Sequence, residues 1–108
     1  MSGTPYRVVL TGAAGGIGQA LALALAPQSS AMLLVGRDSE KLASLRQRLL
    51  VAHVGLSVAV VAADLSGEEG RQAVLEAADK LPGGVNLLVN NAGVSDFHAF
   101  QTQTAAVI

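Results

Sequence analysis

Residues 11–18 read Thr-Gly-Ala-Ala-Gly-Gly-Ile-Gly, directly after the apolar run 6–10 and directly before a helical pattern that begins at Gly16. A strand, a glycine-rich turn and a helix N-terminus, in that order, suit a pyrophosphate. Glycines let the backbone turn tightly and approach a phosphate with no Cβ in the way. The first N–H groups of a helix lack intrahelical partners and point at the anion, and the helix dipole favours negative charge there. The segment therefore predicts dinucleotide binding, with Gly12, Gly15, Gly16 and Gly18 as the lining backbone.

Such a turn works only if strands and helices hold it. Apolar runs at 6–10, 31–35, 57–63 and 85–89 read as strands. Helical patterns fall between them. The first spans 16–26, with Ile17, Leu21 and Ala24 on one face and Pro27 at its end. The second spans 40–53, capped by Asp38 or Ser39, with Leu42, Leu45 and Leu49 as its apolar stripe. Ser66-Gly67-Glu68-Glu69 reads as a capping box opening a third, with Val74, Ala78 and Leu81 inward and Pro82-Gly83-Gly84 as its stop. Asn90-Asn91-Ala92-Gly93 is a turn, and residues 94–108 a loop with the start of a further helix. The expected architecture is α/β: a three-layer, Rossmann-type parallel sheet, β-α-β-α-β-α-β, in the order 3-2-1-4.

Composition agrees. The 108 residues suffice for one small domain, and 51% of them are hydrophobic with few aromatics, which suits strands buried on both faces. A net charge of −1, from 7 basic and 8 acidic residues, argues against nucleic-acid and membrane surfaces. There is no cysteine and there are two histidines, so a thiolate or all-protein zinc site is not expected, and neither His53 nor His98 is assigned chemistry. The stretch 22–26 looks like a signal-peptide core, but the glycines of 12–18 interrupt it and the turn explains them. The expected location is cytoplasmic.

The spacing Thr11-Gly12, Gly16, Gly18 resembles the Thr-Gly-x-x-x-Gly-x-Gly motif of the short-chain dehydrogenases/reductases. Asn90-Asn91-Ala92-Gly93 resembles that family's Asn-Asn-Ala-Gly motif after the fourth strand. Asp64-Leu65 and Gly36-Arg37-Asp38 stand where the family places its adenine contact and its cofactor choice. The resemblance implies that Gly12 to Gly18 line the pyrophosphate and ribose, that Thr11 braces the turn and that Ile17 supports it. It implies that Asp64 accepts from the adenine amine beside the Leu65 backbone. Asn90, Ala92 and Gly93 would form the floor under the ribose and nicotinamide, and Asn91 would stabilise the turn. An NAD-selective site carries a carboxylate at the end of the second strand. Gly36 stands there, and Arg37 follows, able to pair with a 2′-phosphate. NADP(H) is therefore favoured, with NAD(H) left open. Many NADP-preferring members also carry a basic residue before the second glycine, where this chain has Gly15.

The family's Ser, Tyr and Lys, with Tyr-x-x-x-Lys on one helical face, cannot be assigned. The single tyrosine is Tyr6, and four residues on is Leu10. The expectation is an N-terminal dinucleotide-binding half, residues 1–108, of a longer oxidoreductase acting on a small carbonyl or alcohol. Its catalytic half would lie beyond Ile108, homo-oligomerisation stays open, and the fragment alone would be inactive. The alternative is a stand-alone, non-catalytic dinucleotide-binding module or subunit. A receiver domain lacks its acidic pair after the first strand. A P-loop NTPase lacks its Gly-Lys-Ser/Thr.

Overall fold

The apolar runs form one parallel sheet in the computed structural model, which describes residues 3–91. Strands β1 (Tyr6–Thr11), β2 (Ser29–Gly36), β3 (Ser57–Ala62) and β4 (Leu87–Val89) alternate with helices α1 (Gly16–Leu25), α2 (Ser39–Ala52) and α3 (Glu68–Asp79). The sheet order is β3-β2-β1-β4, as expected, and each pairing is parallel. In register, Val9 lies between Leu33 and Leu88, and Leu33 pairs in turn with Ala59. The chain thus steps outward from β1 to β3 and returns to the other side of β1. The strand order reverses between β1 and β4, the point where open α/β sheets bind ligands.

Both faces of the central strands are buried, which is why they read as unbroken apolar runs. Val8, Leu10, Met32 and Leu34 pack with Ala22 of α1 and with Leu42, Leu45 and Leu49 of α2. The alternate residues Val9, Ala31, Leu33 and Val35 pack on the other face with Val74, Ala78 and Leu81. Asp38 caps α2, its carboxylate accepting from the N–H groups of Glu40 and Lys41, both at 3.1 Å.

Three local expectations change. The face of α1 turned to the sheet carries Gly18 and Ala22, with Ala26 beyond in a 3-10 turn (Ala26–Gln28) that contains Pro27. Ile17 is 72% exposed, Ala24 is exposed and Leu21 is half-buried. Small residues win this face because the helix lies too close to the chain for larger ones. A Cβ on Gly18 would overlap the Gly12 carbonyl oxygen.

The expected capping box does not form. The helix starts one residue later than the box requires: Gly67, not Ser66, is the N-cap of α3 and has no side chain to cap with, while the Ser66 hydroxyl donates to Asp64. Finally, β4 is shorter than 85–89. Asn86 pairs with Arg7 through its backbone N–H (to Arg7 O, 3.0 Å), and its side-chain Oδ1 accepts from Arg7 N at 2.6 Å. The amide replaces one rung of the ladder.

Two glycines of the turn separate cleanly by this geometry. Gly18→Ala is expected to destabilise the fold by about 1–3 kcal/mol through overpacking. Gly16, with nothing within 4 Å of an added Cβ, should tolerate Ala and gain up to about 1 kcal/mol. Urea unfolding of the two variants checks the contrast.

Candidate functional site

Because all strands run parallel, the loops following them gather at one end of the sheet. The first is built around Gly12. Its φ is +65°, a left-handed turn that releases the chain from β1. An added Cβ would meet Nδ2 and the carbonyl oxygen of Asn91, each at 3.0 Å. Ala13 N–H donates to Val35 O at 2.9 Å and ties the loop to the end of β2. Gln19 Nε2 donates to Ala14 O at 2.9 Å and holds the middle of the loop over α1. Gly15 is the extended N-cap of α1. It offers no side chain to the helix, and the first turn carries no acidic residue. Gly15 and Gly16 are exposed, and open space surrounds Gly16. The result is an uncapped, accessible helix N-terminus, where the chemistry suits an anion.

Thr11 braces this turn. It is fully buried, its hydroxyl donates to Val89 O at 3.4 Å, and Asn91 N–H donates to it at 3.1 Å. The ends of β1 and β4 are thereby joined beyond the last ladder pair. Asn91 also donates from Nδ2 to Gly12 O at 3.2 Å, so it stabilises the turn as expected. Asn90 is half-buried at the end of β4. Ala92, Gly93 and His98, like the further helix start, lie outside the described residues.

The end of β2 carries no acidic side chain and is tightly packed. Gly36 is buried, and a Cβ there would stand 3.2 Å from Ala14 Cβ and 3.3 Å from Leu42 Cδ2. Arg37 follows, exposed. Its Nη2 lies 3.0 Å from Asp64 Oδ1, an ion pair with side chains 76% and 56% exposed. The structure thus brings together two residues to which the sequence assigned separate roles. Asp38 is turned into the N-terminus of α2.

Asp64 is held from its own loop as well. The Ser66 hydroxyl donates to Oδ1 at 2.7 Å and Ser66 N–H donates to the same oxygen at 3.0 Å. These bonds chiefly lower its pKa below the ordinary aspartate value, with a lesser contribution from Arg37 and against an opposing desolvation. Leu65 is buried, and its carbonyl accepts from Arg71 Nη1 at 3.0 Å. Gly70 seats the first turn of α3 against the same loop, since a Cβ would overlap the Asp64 carbonyl oxygen. Gly70 and Arg71 were not singled out from sequence, and Ser66 was read only as part of a capping box. A Ser two residues after an Asp and a Gly within a helix were the available signals.

Among the described residues, no group of three His, Cys, Asp or Glu side chains could hold a metal ion. No described helix is long and apolar enough to cross a membrane.

A Rossmann-type half-sheet, with a glycine turn at its reversal point, is the class the fold defines. The sequence profile of the short chain dehydrogenases matches residues 6–108. The chain belongs to the short-chain dehydrogenase/reductase family. Over 92 residues it is 42% identical to sepiapterin reductase of Rattus norvegicus, covering 79% of this chain and 35% of that protein. It is 32% identical over 80 residues to the NADPH-dependent reductase BacG of Bacillus subtilis, covering 74% and 31%. Among solved structures, L-sorbose reductase from Gluconobacter frateurii, complexed with NADPH and L-sorbose, superposes with a TM-score of 0.75 at 35% identity, covering 84% of this chain and 34% of that one. The chain spans about a third of the length of the curated relatives it matches.

The lowered Asp64 pKa has a sign. A carboxyl more acidic in the folded state contributes stability above its unfolded value, about 3.9 for aspartate, and loses it as pH falls through the folded value. The stability difference between the unmodified chain and Asp64→Asn should therefore be constant near neutrality and change only below about pH 4. Urea midpoints measured across pH 2–7 for both proteins check this; a step near neutral pH would contradict it.

Proposed function

We propose that the chain is the dinucleotide-binding half of an NADP(H)-dependent reductase that interconverts a small carbonyl and its alcohol. The observation that carries this reading is the accessible, uncapped N-terminus of α1, where Gly15 and Gly16 are exposed and place no side chain over the helix start. The described residues fit a dinucleotide: backbone N–H groups of the first α1 turn toward the pyrophosphate, Asp64 and Leu65 toward the adenine, Asn90 toward the nicotinamide side. When bound, the nicotinamide supplies or accepts the hydride. This chain's own part is to bind and orient.

The choice of NADP(H) rests on Gly36 and Arg37. Gly36 offers no carboxylate to hold a ribose 2′-OH, and Arg37 is exposed and cationic at the next position. The NADPH named for relatives such as BacG and the L-sorbose reductase supports the same choice. No Tyr-x-x-x-Lys occurs within this sequence, and no residue of it is assigned to proton transfer. The same observation favours, as second reading, a non-catalytic dinucleotide-binding subunit. The intact mass of the native product separates the two. A value well above 10.9 kDa fits the reductase, and a match to it fits the subunit.

Binding tests the cofactor. NADPH should bind more tightly than NADH by about tenfold or more, the worth of a charge-assisted contact. Arg37→Ala should remove the difference while leaving NADH affinity nearly unchanged. Fluorescence titration of both nucleotides against both proteins reads it. Equal affinities in the unmodified chain would overturn the choice of NADP(H).

A further inference from the structure

We propose that Asp64 sets how strongly the chain prefers a 2′-phosphorylated adenosine, because it shares Arg37 with the incoming phosphate. The inference rests on the dinucleotide reading above. Arg37 follows β2 and Asp64 follows β3, so adjacent strands deliver a cation and an anion to one rim of the site, 3.0 Å apart.

The two partners are not equally free. Oδ1 of Asp64 already accepts two bonds from Ser66. Its loop is held from beneath, where Gly70 admits the first turn of α3 and Arg71 binds the Leu65 carbonyl. The carboxylate is therefore a fixed point, and the long Arg37 side chain has come to it. An exposed pair of this kind adds little to stability. Its effect falls on a ligand. A phosphate monoester carries roughly −1.5 to −2 charges near neutrality. It meets a guanidinium whose charge is already largely offset by Asp64, next to the carboxylate of Asp38, which is engaged at the start of α2. Only Nη2 contacts Asp64, so the remaining N–H donors can still take the phosphate. The 2′-phosphate is accepted, but with less advantage over a 2′-hydroxyl than an unshared arginine would give.

Asp64→Asn removes the charge at nearly constant shape, and any loss at the adenine is common to every adenosine probe. Calorimetric titration of the full chain with adenosine 2′,5′-bisphosphate and with 5′-AMP supplies the readout, because the two probes differ by the 2′-phosphate alone. Asp64→Asn should raise the ratio of bisphosphate to 5′-AMP affinity about fivefold. The rise should vanish when Arg37→Ala is combined with it, and shrink as salt is raised. Equal changes for both probes, or a fall in the ratio, would overturn the inference and confine Asp64 to the adenine. Failure of the unmodified chain to bind either probe would overturn the dinucleotide reading and this inference with it.

Discussion

The carbonyl oxygen of Gly12 is the point on which the strand ends depend. It accepts from Gly15 N–H at 3.3 Å and from Asn91 Nδ2 at 3.2 Å, and the Cα of Gly18 closes over it with no room for a Cβ. One peptide group thus joins β1, the segment after β4 and the first turn of α1. Each partner is constrained by residue type. Gly12 must adopt positive φ, Asn91 must supply an amide at a fixed distance, and Gly18 must have no side chain. The helix N-terminus can sit at the sheet's reversal point only when all three conditions hold. The same contact explains why the sheet-facing side of α1 is built of Gly18 and Ala22, although larger apolar residues stand beside them.

The β3–α3 connection repeats the device. Gly70 closes over the Asp64 carbonyl oxygen as Gly18 closes over that of Gly12. In both places a glycine inside the first helical turn accepts the local weakness such residues bring to a helix, and close approach to the loop is gained. The two loops so held differ in what they present. The first offers backbone N–H groups, and the second offers a carboxylate and the Leu65 backbone.

Much of this was legible in the sequence for a simple reason. Strands buried on both faces are unbroken apolar runs, and in a parallel sheet their order follows from right-handed crossovers. The glycine turn, the Asp38 cap, the brace at Thr11 and the turn-stabilising Asn91 were legible because each acts within a few residues or carries a recognisable spacing. The misreadings share one cause, competition that local pattern does not contain. Hydrophobicity ranks Ile17 above Gly18 for burial, but the distance between helix and loop reverses the ranking. Ser66 has the spacing of a cap, yet the helix begins after Gly67, and Ser66 instead donates to the aspartate two residues back. Val85 is apolar enough for a strand, but the Asn86 amide takes the hydrogen bond that would have extended it. The Arg37–Asp64 pair spans 27 residues and exists only once β2 and β3 are neighbours.

That pair also divides the recognition of a dinucleotide between two kinds of force. Under the proposed reading, the pyrophosphate is met by backbone N–H groups and a helix dipole at a helix start that carries no acidic side chain. These donors are fixed by the fold, cost no side-chain ordering and act at short range. The 2′ position is met instead by one exposed arginine, on a long side chain, already engaged by a carboxylate. Interactions between exposed charges are screened by salt and weakened by the entropy of ordering them. Affinity for the shared part of the cofactor then comes from the rigid turn, and discrimination between its two forms from the mobile rim. The first is set by glycines that cannot be exchanged without moving the backbone. The second is set by side chains at 37 and 64 whose replacement leaves the sheet untouched, so cofactor preference can change in this fold while the cradle itself does not.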